Sequence, residues 1–142
     1  MRLRRKGDDE AVRLVLVATD RSETAERAVR FAAEMATRFE AELLVVRVLV
    51  GDDGGPRADV ADELAGHVEG LVGERKRSAV VSGDDPAEAI VEAARRERAD
   101  VLVVGSVGMS GRREFLLRNV PNRVSHNAPC TVVIVKTHSE DA

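Results

Sequence analysis

The sequence predicts an open α/β domain, a parallel sheet with helices on both faces, and three observations carry that prediction. Apolar runs such as Leu14-Val15-Leu16-Val17-Ala18 and Val101-Leu102-Val103-Val104 are continuous instead of alternating, the pattern of strands covered on both sides. Between the runs lie segments whose apolar residues recur every three or four positions, the period of a helix with one buried face. The run ending at Val104 then empties into a stretch punctuated by Gly105, Gly108 and Gly111, with a helix-like segment beyond. Such a strand, loop and helix start is where α/β proteins hold phosphates, because glycine admits close backbone approach and a helix N-terminus offers free N–H groups.

The 142 residues fit a single domain, 1–142, with residues 1–10 expected as a flexible tail. That tail opens basic, Met1 to Lys6, and turns acidic at Asp8, Asp9 and Glu10, a solvated charge run. A formal net charge of -3 supplies no basic field for nucleic acid or an anionic membrane. The chain has no Trp, no Tyr and only three Phe, which removes the aromatic platforms that stack bases. No apolar run is long enough to span a bilayer, and no apolar core with a cleavage site follows the basic start. A single cysteine, Cys130, forms no internal disulfide and fits a reducing compartment; a cytoplasmic location is the expectation.

The first strand is read at Val12 to Ala18, ending in the polar turn Thr19-Asp20-Arg21-Ser22. Ser22 is a candidate N-cap for a helix whose buried face is Ala25, Ala28, Val29, Ala32, Ala36 and Phe39. Asp20 stands at the carboxyl end of that strand as either a ligand contact or a turn-forming aspartate. Leu43 to Val50 is the second strand, and the cluster Gly51 to Pro56 breaks it. That cluster lacks the alternating oxygen ligands of a calcium loop, and a lid over the site is the expectation for Gly51 to Arg57. Val60, Leu64, Val68, Leu71 and Val72 form one face of the next helix, which carries His67.

A short third strand is read at Ala79 to Ser82. Asp85-Pro86-Ala87-Glu88 then has the form of a helix start: acidic N-cap, Pro at the first helical position, Glu three residues after the cap. This helix is read to about Arg98, burying Ala89, Ile90, Ala93 and Ala94 and exposing Glu92, Arg95, Arg96 and Glu97. Val101 to Val104 is the fourth strand. After the glycine stretch, Asn119 can cap a helix with Pro121 in its first turn and Val120, Val124 and Ala128 facing inward; Pro129 stops it before a fifth strand, Thr131 to Val135. Strands alternating with helices imply right-handed crossovers and a parallel sheet. The histidines His67, His126 and His138 are far apart in sequence and suggest no metal or nucleophile constellation. Cys130, just before a strand, reads as a packing residue. No catalytic or metal-ligating set is assigned.

With those residues in view, the chain resembles the universal stress proteins over nearly its whole length. The stretches Leu14 to Ser22, Gly83 to Ile90 and Val101 to Lys136 carry the resemblance. ATP-binding members of that family share a glycine, two residues, a glycine, nine residues, then glycine and Ser or Thr. Gly105 and Gly108 match that pattern; Arg118 and Asn119 stand at its last two positions.

The resemblance implies a Rossmann-like sheet of the adenine nucleotide alpha hydrolase type, with five parallel strands in the order 3-2-1-4-5. It further implies ATP or another adenine nucleotide, with Mg or Mn as the accompanying ion to be tested. Adenine and ribose would lie at Ala18, Asp20 and Val48, the ribose near Gly105, and the phosphates against Gly108, Arg118, Asn119 and Val120. Arg118 folds over the phosphates as a fixed cation, fills their space, or points to solvent without effect. Arg21, where many members have glycine, is expected to project into water. Family members commonly dimerise through the last strand, here Thr131 to Lys136, an apolar edge of the kind proteins pair or cover. Two functions follow: a nucleotide-binding homodimeric regulator of the stress response, or a relative without nucleotide that works through protein contacts. ATP hydrolysis is at most slow, since Glu114 is the nearest acidic residue to the glycine stretch and reads as a surface group.

Overall fold

The computed structural model describes residues 11–50, 57–106 and 120–136. Five strands, β1 (Leu14–Thr19), β2 (Glu42–Val50), β3 (Lys76–Gly83), β4 (Val101–Gly105) and β5 (Thr131–Val135), alternate with α1 (Glu23–Phe39), α2 (Arg57–Glu69), α3 (Pro86–Glu97) and α4 (Val120–Asn127). The strands form one sheet in the order β3-β2-β1-β4-β5, and every pairing is parallel. The expected fold class and strand order are both present.

Alternation along β1 shows why its run is apolar throughout. Leu14, Leu16 and Ala18 enter the cluster packed under α3 and α4, while Val15 and Val17 enter the cluster under α1. Burying one such side chain fully stabilises the fold by roughly 1.5–3 kcal/mol. The face of α1 against the sheet is small, Ala25, Ala28, Val29, Ala32, Ala33 and Ala36, so helix and sheet approach closely. Ser22 caps α1, its hydroxyl accepting the Ala25 N–H at 3.2 Å. At the opposite end of the sheet, Asp100 ties β1 to β4: its Oδ2 accepts the N–H of Arg13 at 2.8 Å and of Leu14 at 3.0 Å.

Four details differ from the sequence expectations. β3 starts at Lys76 instead of Ala79, because its first residues are the polar Lys76, Arg77 and Ser78 of an edge strand. Phe39 is 53% exposed, being the last residue of α1, where Glu40 at φ 58° already turns the chain toward β2. α2 ends at Glu69, before the breakers Gly70 and Gly73, and leaves Val72 outside the helix and exposed. In α3, Val91 is buried where Ala89 was expected, and Glu97 is drawn partly inward by Arg77. The tail 1–10, the segment Gly51 to Pro56 of the expected lid, and Gly108, Gly111, Glu114, Arg118, Asn119 and His138 lie outside the described residues; Arg57 starts α2. No described helix is long and apolar enough to cross a membrane.

Candidate functional site

The carboxyl ends of β1 and β4 lie side by side. From β1 the chain proceeds outward through β2 and β3; from β4 it proceeds the other way to β5. Connections therefore diverge above this pair and leave a crevice, the place where open α/β sheets bind ligands. Val17 pairs with Val103, and Asp20 and Gly105 follow at the ends of the two strands.

Local chemistry shapes the turn after β1. Thr19 is a buried polar residue, and its hydroxyl accepts the Arg21 N–H at 2.9 Å. Asp20 accepts the Ser22 N–H on Oδ1 at 2.9 Å, so the carboxylate forms an Asx turn where the strand ends. Of the two sequence alternatives for Asp20, the turn-forming one is what the geometry displays. Arg21 has φ 67°, a left-handed conformation that favours glycine and costs a residue with a side chain roughly 1 kcal/mol.

The expectation that Arg21 projects into water is corrected here. Its side chain is 22% exposed and the guanidinium bridges two helices, Nη1 at 3.6 Å from Glu26 Oε1 of α1 and Nη2 at 3.3 Å from Glu63 Oε2 of α2. His67 joins the same network, its Nε2 lying 3.0 Å from Glu26 Oε1. The position keeps glycine's backbone and adds a cation that ties α2 to α1.

The remaining site candidates sort into two groups. Ala18, Val48 and Val120 share one buried cluster, the one beneath α3 and α4. Gly105 ends β4 in register with Val135, and Ser106 extends that ladder by donating to the Val135 carbonyl at 2.7 Å. Gly105 is the partly buried last residue of β4. Val120 begins α4 directly above the sheet. Gly108, Arg118 and Asn119 lie outside the described residues.

One contact escaped the sequence reading. Arg123 of α4 grips Asp85, the N-cap of α3, with both guanidinium ends: Nη1 to Oδ1 at 2.9 Å and Nη2 to Oδ2 at 2.6 Å. The hydrogen bonds from Arg123 hold the Asp85 carboxyl below the ordinary carboxylate range, against the opposing push of partial burial. The cap was legible from Asp85-Pro86; its partner stands 38 residues on and carries no local signal. Cys130 is half-buried, and burial, with a smaller contribution from the Asp100 charge, raises its thiol above the usual range.

Residues 12–136 match the family model described as the universal stress protein family. Universal stress protein Rv1636 of Mycobacterium tuberculosis is 33% identical over 143 residues, spanning 89% of this chain and 98% of its own. A universal stress protein of Thermus aquaticus, described as lying in the QAH/OAS sulfhydrylase 3' region, is 32% identical over 133 residues, spanning 86% of this chain and 97% of its own. Among solved structures, a universal stress protein in complex with cAMP superposes with a TM-score of 0.72 at 31% identity, covering 90% of this chain and 99% of that one.

Proposed function

Because the chain belongs to the universal stress protein family, we propose that it binds an adenine nucleotide, ATP in the first instance, and acts as a homodimeric regulator in the stress response. The observation that carries this reading is the divergence of the connections at the carboxyl ends of β1 and β4, with Asp20 and Gly105 at the two strand ends. A solved relative 31% identical to this chain was crystallised with cAMP, an adenine nucleotide.

The chemistry fits the group. The Asp20 carboxylate accepts hydrogen bonds from ribose hydroxyls, Ala18 and Val48 form the apolar side of the strand ends, and Gly105 leaves room for the sugar. The family resemblance assigns the phosphates to the N–H groups of Val120 and Asn119, with Gly108 and Arg118, where a helix dipole favours anions. Mg or Mn accompanies the phosphates only if they are supplied as ATP. Any ATP turnover is slow, well below about 1 per second. The homodimer forms through β5, whose last neighbour in the chain is Lys136, and the protein works in the cytoplasm.

A second reading rests on Arg118 and Asn119, which replace the last glycine and hydroxyl residue of the phosphate motif. In it the site is empty of nucleotide and the dimer surfaces do the work. Calorimetric titration of nucleotide-stripped protein with Mg-ATP, AMP and cAMP, alongside Arg118→Gly, separates the two. Micromolar binding by the unaltered chain supports the nucleotide reading. Binding that emerges only in Arg118→Gly sinks it in favour of the interaction module.

A further inference from the structure

We infer that Asp85 and Arg123 form a positioning clamp that aims the first turn of α4 at the nucleotide phosphates, an inference that rests on the nucleotide reading above. α4 has only eight residues, a length at which an isolated helix is unstable in water. Its apolar anchorage is narrow: Val120, Pro121 and Val124 are its buried residues. Apolar contact of that kind holds a helix against its neighbour but leaves rotation and sliding along the contact weakly specified.

The clamp removes those two freedoms. Arg123 lies in the turn that Val120 opens, and its planar fork meets both oxygens of one carboxylate. That carboxylate is itself fixed, since Oδ1 also accepts the backbone N–H of Ala87 at 3.1 Å and of Glu88 at 3.4 Å. The start of α4 is thereby registered to the start of α3, an element rooted in the core through Ile90, Ala93 and Ala94. The pair is half exposed, at 50% and 34% of the two side chains, so its contribution to global stability is small. Orientation is what a bidentate pair supplies at such a place.

The exposed geometry also makes the clamp separable from the cap. Asp85→Asn keeps an oxygen for the Ala87 and Glu88 N–H groups and loses the anionic fork. Arg123→Lys keeps the charge and loses the second parallel bond. Each variant is titrated with ATP and with adenosine, which lacks phosphates, while amide exchange is followed over residues 120–127 without ligand.

The clamp predicts a loss of about fivefold in ATP affinity in both variants, adenosine affinity kept within about twofold, and faster exchange of the hydrogen-bonded amides of α4, residues 124–127. Equal losses for ATP and adenosine, or unchanged ATP affinity, overturn it. If the unaltered chain binds neither ligand, the nucleotide reading fails by itself; the exchange data then decide the clamp, unchanged rates removing it and faster rates keeping it as a device that orders α4.

Discussion

The two edges of the sheet are built to opposite rules. β3 begins Lys76-Arg77-Ser78 and spends those charges on neighbours: Arg77 reaches Glu42 at 2.8 Å and Glu97 at 2.9 Å, and Lys76 Nζ donates to the carbonyls of Glu69 at 3.1 Å and Leu71 at 2.8 Å. β5 reads Thr131-Val132-Val133-Ile134-Val135, carries no charge, and leaves Ile134 46% exposed. Both are terminal strands of the same parallel sheet. An edge lined with tethered cations resists a further strand, whereas an uncharged β-branched edge accepts one. For the homodimer proposed above, the difference favours β5 over β3 as the interface.

Four experiments break or sharpen that contrast, from the largest effect to the smallest. Ile134→Lys gives β5 the chemistry of β3; sedimentation velocity is expected to show the dimer weakened by at least about 30-fold, equivalent to roughly 2 kcal/mol. An unchanged dimer would place the interface elsewhere. The converse change, Lys76→Val with Arg77→Ile, makes β3 resemble β5, and light scattering is expected to show concentration-dependent oligomers beyond the dimer. A monodisperse result, with circular dichroism unchanged, would mean that charge is not what guards β3.

Arg77→Gln alone tests how much the guard contributes to the fold. The paired carboxylates raise the Arg77 pKa, so the side chain stays cationic, but exposure and salt screening hold its expected cost to about 0.5 kcal/mol by urea denaturation. That difference should shrink in about 1 M salt, where the Debye length is near 3 Å. The smallest effect concerns Cys130, one residue before β5. Its raised pKa keeps the thiol protonated, so iodoacetamide modification should be slower in the native protein than in urea through the alkaline range. The sign for stability follows: the contribution is intact below the unfolded thiol pKa and is lost as pH rises through the folded one. Equal labelling rates in the two states would contradict the burial.

Much of this architecture was readable because continuous burial leaves a continuous apolar record. β1, β2, β4 and β5 lie within two residues of their expected limits, and Asp85 caps α3 as Asp85-Pro86 indicated. β3 was shortened in the reading because an edge strand spends part of its length on polar side chains, which interrupts the record. The candidate site divides in the same way: the strand ends point to Asp20 and Gly105, while Ala18, Val48 and Val120 enter only through the family resemblance. The roles of Arg21 and Arg123 follow from neither, since each acts on a partner in another element: Glu63, 42 residues away, and Asp85, 38 residues away. Single-chain periodicity reports which face is buried and is silent on which charges meet across the gap.

The pairing of β1 with β4 also differs from its neighbours in range. Leu16 meets Leu44 across one seam, 28 positions along the chain, and Leu102 across the other, 86 positions along. Closing the longer loop costs about 1 kcal/mol more in chain entropy. The β1–β2 and β4–β5 seams are each local, which leaves the central join as the pairing of longest range in the sheet. Asp100, accepting the N–H groups of Arg13 and Leu14, is the bolt on that join. The strand ends at Asp20 and Gly105 are brought together only by that join, so binding of the proposed nucleotide between them would report that the two halves have met.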